Sequence, residues 1–318
     1  MHLRLIVPAD RSQLVVDTLL ADPRVTSIVR LPGAAHRPAG DVIECDVTRE
    51  ATSDILTWLK HEGLYDEGAV ALTGVDASPS RNAQTAEKAA PGAPDDAVIW
   101  DAVVDQAYNE AGGSWVYYAF LTLATMIASV AVITDSSILV VGAMVVGPEF
   151  GVVAALAVGL FLRKGGLARA SVLLLLKGFI VAIALTALAA LLARAVGWVD
   201  AGDVTAARPL TGFIWRPDRW SAVVAVLAGC AGVLSQTAGR GNALVGVFIS
   251  VTTVPAAGDL ALSLALWAPH QIGGSAAQLG INLAGMTVAG VLTLVLQRSI
   301  WRIYLRAKRG RAGARVEA

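Results

Sequence analysis

From Trp115 onward the chain is a series of long apolar runs with short polar interruptions. Six of them, roughly 116–135, 138–162, 169–193, 220–238, 243–267 and 275–297, are long enough to cross a membrane. Each supplies the ~20 residues that about 30 Å of hydrocarbon requires. Leu173–Leu192 holds one charge, Lys177, and Leu279–Leu296 holds none, so these helices have no polar face to offer water. The pattern predicts an α-helical polytopic membrane domain with about six spans.

Before Trp115 the periodicity is that of a soluble α+β unit. Leu3–Val7 alternates and predicts a strand, and Ser12–Leu20 predicts a helix. Val25–Leu31 predicts a strand ended by a Pro32-Gly33 turn, and Asp41–Val47 a third strand. Thr48 precedes a helix through Leu59, and Asp66–Thr73 predicts a last strand. The order β-α-β-β-α-β predicts an N-terminal ferredoxin-like domain over residues 1–75. Residues 76–96 are rich in Ala, Pro, Ser, Asp and Gly and predict a flexible linker. An amphipathic connector helix follows, with Trp100, Val103, Val104, Ala107 and Tyr108 on one face, which closes a 76–114 segment. The membrane domain then covers 115–297, and 298–318 is a basic tail.

Charge separates the same parts. Residues 1–114 carry 18 acidic and 9 basic side chains, and the remainder carries 7 and 16, so a total of zero conceals two opposite balances. The acidic head argues against nucleic acid as a partner. Cys45 and Cys230 stand in different segments and are expected to be small buried residues, and no metal-ligand spacing or nucleophile triad occurs. No cofactor and no enzymatic activity is expected. Met1–Asp10 has too short an apolar core for an export signal, so the head is expected in the cytoplasm. Arg163, Lys164, Arg169 and Arg240 lie between spans, and seven basic residues run from Arg298 to Arg315. The positive-inside rule puts all of these, and both termini, on the cytoplasmic side, with the 134–137 turn, the 194–219 loop and the 267–270 loop outside.

Two runs carry interruptions. In the first, Val145-Val146-Gly147-Pro148-Glu149-Phe150-Gly151 places a proline, two glycines and an acid in an apolar segment. Proline has no amide hydrogen and clashes with the carbonyl four residues back, so it predicts a break. Carbonyls freed inside a membrane must meet protein, water or an ion. The fifth run carries Thr252, Thr253, Pro255 and Asp259. Gly142 and Gly246 correspond at an offset of 104, Pro148 and Pro255 at 107, and Lys177 and Asn282 at 105. Three spans per half then predict a 3+3 inverted repeat with a broken helix in each half, an arrangement found in transporters. Charges inside a membrane avoid lipid, so Lys177 is expected to pair with Glu149 or Asp259, or to attract an anion. The substrate or ion site candidates are Gly147, Pro148, Glu149, Lys177, Thr252, Thr253, Pro255, Asp259 and Asn282.

The stretch Ile127–Gly159, IASVAVITDSSILVVGAMVVGPEFGVVAALAVG, resembles the prokaryotic uncharacterised hydrophobic-domain membrane proteins, domain of unknown function 389. So does Ala243–Gly258, ALVGVFISVTTVPAAG. The likeness covers residues 115–265. It departs at Glu149, where the family often has another proline and no acid, and at Pro255-Ala256, where a proline pair is common. The resemblance implies a multi-pass protein of the prokaryotic inner (plasma) membrane. With the breaks it points to a transporter or channel for a small solute or ion, whose head regulates it or joins subunits, a dimer being the simplest assembly. A non-transporting membrane-anchored sensor or assembly protein is the alternative. Lys177 suits an anion and the two acids suit a cation or proton, so both signs stay open.

Overall fold

The computed structural model describes residues 1–75, 77–239 and 252–316, with side chains to Tyr304. Two compact units emerge, Met1–Ala102 with Ile300–Ala318, and Val103–Ser299. In the first, strands β1 (His2–Val7), β2 (Val25–His36), β3 (Ala39–Val47) and β4 (Ala69–Thr73) form one sheet in the order β2-β3-β1-β4. Every pairing is antiparallel. Helices α1 (Ser12–Ala21) and α2 (Arg49–His61) connect them in the predicted order, with a single turn, α3 (Leu64–Glu67), before β4. Alternate strand residues Leu3, Leu5, Val7, Ile43, Cys45 and Val47 meet Val15, Leu19, Ile55 and Leu59 in one core. This is the period-two face of the sheet packed on the inner helix stripes. Cys45 is a core residue, and burial pushes its thiol up to about 12.

The β2–β3 hairpin is longer than its alternation predicts. Pro32-Gly33 does not turn the chain. Gly33 adopts a left-handed φ of 64° inside β2, and the pairing register shifts between Leu31 and Ala35. Asp41 explains why the strand continues. Its buried carboxylate accepts the Gly33 N–H at 2.8 Å and pairs with Arg30 at 2.9 Å. These donors, the Gly33 amide foremost, hold the Asp41 carboxyl below its ordinary value of 3.8. A lowered folded-state pKa contributes stability that is complete above the unfolded value and is lost as pH falls through the folded one. Protection factors of the β2–β3 amides, exchange rates corrected for the intrinsic pH dependence, are therefore expected to fall below about pH 4. In Asp41→Asn that acid limb should flatten, and an unchanged pH profile would remove Asp41 as its cause.

Residues 77–96 are more ordered than the composition of the predicted linker suggests. Ser80 caps α4 (Arg81–Ala89) by accepting the Ala83 N–H, and Ala86 on its inner face is buried. Capping by serine offsets the weak helix propensity of a short polar segment.

Helix α5 (Trp100–Glu110) leads to the apolar helices. These are α6 (Trp115–Ile133), the pair α7 (Ser137–Val146) and α8 (Glu149–Phe161), α9 (Gly165–Ala195), α11 (Arg219–Thr237), α12 (Thr253–Ala265) and α13 (Pro269–Val316), with a short α10 (Ala201–Thr205) after α9. Four of them, α6, α9, α11 and Pro269–Tyr304 of α13, are long and apolar enough to cross a membrane, and a fifth span arises if α7 and α8 are one bent helix. Large apolar side chains such as Leu176, Ile180, Leu188 and Leu227 are exposed on their outer faces, where only lipid satisfies them. The protein is therefore a polytopic membrane protein. The first part of the fifth predicted run, Gly246 included, lies outside the described residues.

Small residues let these helices approach closely. Gly229 of α11 faces the Met286 carbonyl of α13, and Gly285 of α13 faces Ala225 of α11. Helix α12 packs on α6, α9 and α7 and is buried along Thr253–Asp259. Helix α8 packs on α9 and α11, and Phe150 fills the space over Gly232. Trp115, Trp198, Trp220 and Trp267 are exposed at helix ends, as an interfacial belt requires. Tyr117, two residues after Trp115, is instead buried in the core.

Candidate functional site

The proline break occurs where the sequence predicts it. Helices α7 and α8 meet at 53°. Gly147 is the last cap of α7, extended at φ −66° and ψ 125°, and Pro148 stands before α8, where no intrahelical amide is needed. Glu149 is then the first residue of α8. Its side chain is 7% exposed, and Oε2 has no hydrogen-bond partner among the described residues. The positive end of the helix dipole favours a carboxylate there. A second acid also reaches this turn. A Cβ added to Gly151 would collide with the carboxylate of Glu110, the last residue of α5. Burial raises the Glu110 carboxyl above its ordinary range. Glu110 lies off the apolar face of the connector, and the sequence signal that marks it is the small residue it needs at position 151.

Gly147 also touches α12, since a Cβ there would come within 2.7 Å of Val254 Cγ2. The turn at Gly147 and the first turn of α12 thus meet, through an apolar contact with Val254 fully buried. Helix α12 begins at Thr253, and its capping residue is Thr252 rather than anything near Pro255. Pro255 is the third helical residue, where its missing amide leaves no hydrogen bond unmade. Thr252 follows Pro148, the residue before α8, by 104 residues.

Polar side chains gather at Thr252. Its Oγ1 accepts from Gln278 Nε2 at 2.8 Å and from Asn282 Nδ2 at 3.0 Å. Gln278 and Asn282 lie one turn apart on α13 and are both buried. Gln278 Oε1 and the neighbouring Thr253 Oγ1 have no partner among the described residues. Beside this cluster is a cavity of about 240 Å³ lined by Thr252, Gln278, Asn282, Arg216, Asp218 and Trp220. Orphaned buried polar atoms are costly, and a cavity at their side is where a solute or ion relieves that cost. Gln278 escaped sequence reading because a lone amide in an apolar helix is usually interhelical glue.

Asp259 is engaged elsewhere. Its carboxylate pairs with Arg208 at 2.7 Å, with side chains 0% and 3% exposed, and accepts from Ser275 Oγ at 2.5 Å. Arg208 also donates to Gln271 Oε1 at 2.7 Å, and Gln271 Nε2 donates to the Val204 carbonyl. The 194–219 segment, expected as a solvent loop, is therefore folded into the unit. Val199, Val204 and Ile214 are core residues, and Asp135 accepts the amides of Leu210 and Thr211. Lys177 joins neither acid. It is exposed on the outer face of α9 beside Leu173, Leu176 and Ile180, and makes no ion pair among the described residues. The expected pairing fails because position 177 falls on the lipid-facing stripe of that helix, about 18 Å along its axis from Gly165, where a lysine stem can run toward the interface.

Among the described residues no group of His, Cys, Asp or Glu is arranged to hold a metal. Residues 144–288 match the family model described as "Domain of unknown function (DUF389)". That range contains the α7–α8 break, the Asp259 network and the Thr252 cluster, and excludes Glu110. No curated protein and no solved structure matches the chain.

Proposed function

The chain belongs to the family described as a domain of unknown function (DUF389), and from that premise we propose that it is a transporter or channel for a small polar solute or ion. The observation that carries the reading is the cavity beside Thr252, Gln278 and Asn282, with Gln278 Oε1 open and the start of α12 at its edge. Helix termini that face a cavity are among the features by which transporters hold ions and polar groups.

The helix order supports an inverted 3+3 repeat. Helix α6, the broken pair α7–α8 and the long α9 are followed by α11, the short α12 and the long α13. Their packing crosses over, with α12 held by α6 and α9 and α8 held by α11. On this reading the protein lies in the prokaryotic inner membrane with both termini cytoplasmic, and works as a dimer. The sheet order of the head fits the ferredoxin-like class, and its role is regulation or subunit assembly. Nothing in this scheme calls for catalysis. The apolar seal between Gly147 and Val254 favours the alternative, a sensor or assembly protein without flux.

Liposomes with the reconstituted protein and a panel of ions separate the two. Flux above that of empty liposomes is expected, falling about tenfold or more in Gln278→Leu/Asn282→Leu, which removes hydrogen bonds of about 1 kcal/mol each. Lys177→Ala should match the wild type. Wild-type flux at the level of empty liposomes across the panel would leave the sensor or assembly reading in its place.

A further inference from the structure

The first unit has its own cavity, of about 230 Å³, at the end of β3 and the start of α2, closed on one side by α4. Two of its lining side chains are more than nine-tenths buried and incomplete. Thr48 Oγ1 and Glu50 Oε2 have no hydrogen-bond partner among the described residues. Thr48 occupies the capping position of α2, yet its hydroxyl does not cap the helix. The other charged groups of the lining are spoken for. Arg24 is held by Asp22 at 2.8 Å and by Asp54 at 3.2 Å, Asp46 is bonded to His2 at 3.1 Å, Arg49 Nε donates to the Ala97 carbonyl, and the Met1 ammonium donates to the Val47 carbonyl at 2.7 Å. What remains open is a carboxylate oxygen and a hydroxyl, with exposed Glu87 of α4 at the rim.

Open acceptors call for a donor, and a buried carboxylate calls for a counter-charge. We infer that this cavity is a binding site for a small organic cation whose ammonium or guanidinium N–H groups are held by Glu50 and Thr48, with Glu87 completing the negative rim. The volume corresponds to roughly eight water molecules, which suits a ligand of a few heavy atoms and no macromolecule. Burial raises the Glu50 carboxyl above its ordinary range and the charge of Glu87 adds to this, while Arg49 and Arg24 oppose it. Because α4 and the 94–96 turn supply part of the wall, an occupant ties this segment to the sheet. The composition that reads as a flexible linker is then one wall of a ligand site.

The inference stands apart from any flux through the membrane unit, so either can fail alone. Putrescine is the probe, titrated calorimetrically into the full-length protein in detergent micelles. Tetramethylammonium, which carries the same type of charge without N–H donors, is the control. Saturable binding of putrescine at one site per chain is expected, with none for tetramethylammonium. Glu50→Gln should weaken it about tenfold or more, the range of a charged hydrogen bond. Glu87→Gln, at an exposed position that leaves the core untouched, should weaken it severalfold. Equal binding of the two cations, or putrescine affinity unchanged in both variants, would overturn the assignment.

Discussion

Replacing Asp259 with alanine is expected to destabilise the membrane unit by about 3–5 kcal/mol, the cost of leaving one half of a buried ion pair uncompensated. The partner left behind is Arg208, 3% exposed, whose other hydrogen-bond partner among the described residues is Gln271. Arg208→Ala should be similarly damaging. The double replacement Arg208→Met/Asp259→Leu should recover much of the loss, because removing both charges removes the desolvation cost together with the attraction. Unfolding in mixed detergent–dodecyl sulfate micelles, followed by tryptophan fluorescence, measures all three. The strong non-additivity of this cycle is the signature of the pair. A single Asp259→Ala variant as stable as the parent would show that water or a bound ion reaches this network. The flux experiment on Gln278 and Asn282 is then interpretable only in variants that keep this pair.

Gly258→Val should be the next most damaging change, at about 3 kcal/mol, the upper part of the range for overpacking a closed interface. A Cβ at Gly258 would lie 2.8 Å from Ala128 Cβ, 2.9 Å from the Ser129 amide nitrogen and 3.0 Å from the Thr125 carbonyl. Two of these are backbone atoms and cannot rotate away. The same displacement would break the 3.0 Å bond from Ser129 Oγ to the Gly258 carbonyl, which fastens α12 to α6. Gly142→Val is the control, because no atom of the described residues lies within 4 Å of a Cβ there. Its melting temperature in micelles should stay near the parent value while that of Gly258→Val drops by several degrees. Similar losses in both would show that the α6–α12 contact is not their cause.

Glu149 was legible as a buried acid and Pro148 as a break because both follow from local chemistry. An ionised group avoids lipid wherever the chain goes, and proline disrupts a helix whatever packs against it. Thr252 stood among the site candidates only because it lies in the interrupted fifth run. Its importance comes from Gln278 and Asn282, which reach it from another helix. Likewise the Gly151 position reads as helix-breaking, whereas in the structure it makes room for Glu110.

The amino-acid order alone thus determined the membrane-length helices, the break at Gly147–Pro148 and the β-α-β-β-α-β course of the head. All three rest on periodicity, turn chemistry and the cost of unsatisfied backbone, which act within a few residues of one another. Tertiary structure decided the partners. Asp259 took Arg208, 51 residues away, and Lys177 took none among the described residues, because which side chains meet depends on how helices rotate against each other. A charge states that it needs company; only the packed helices state whose.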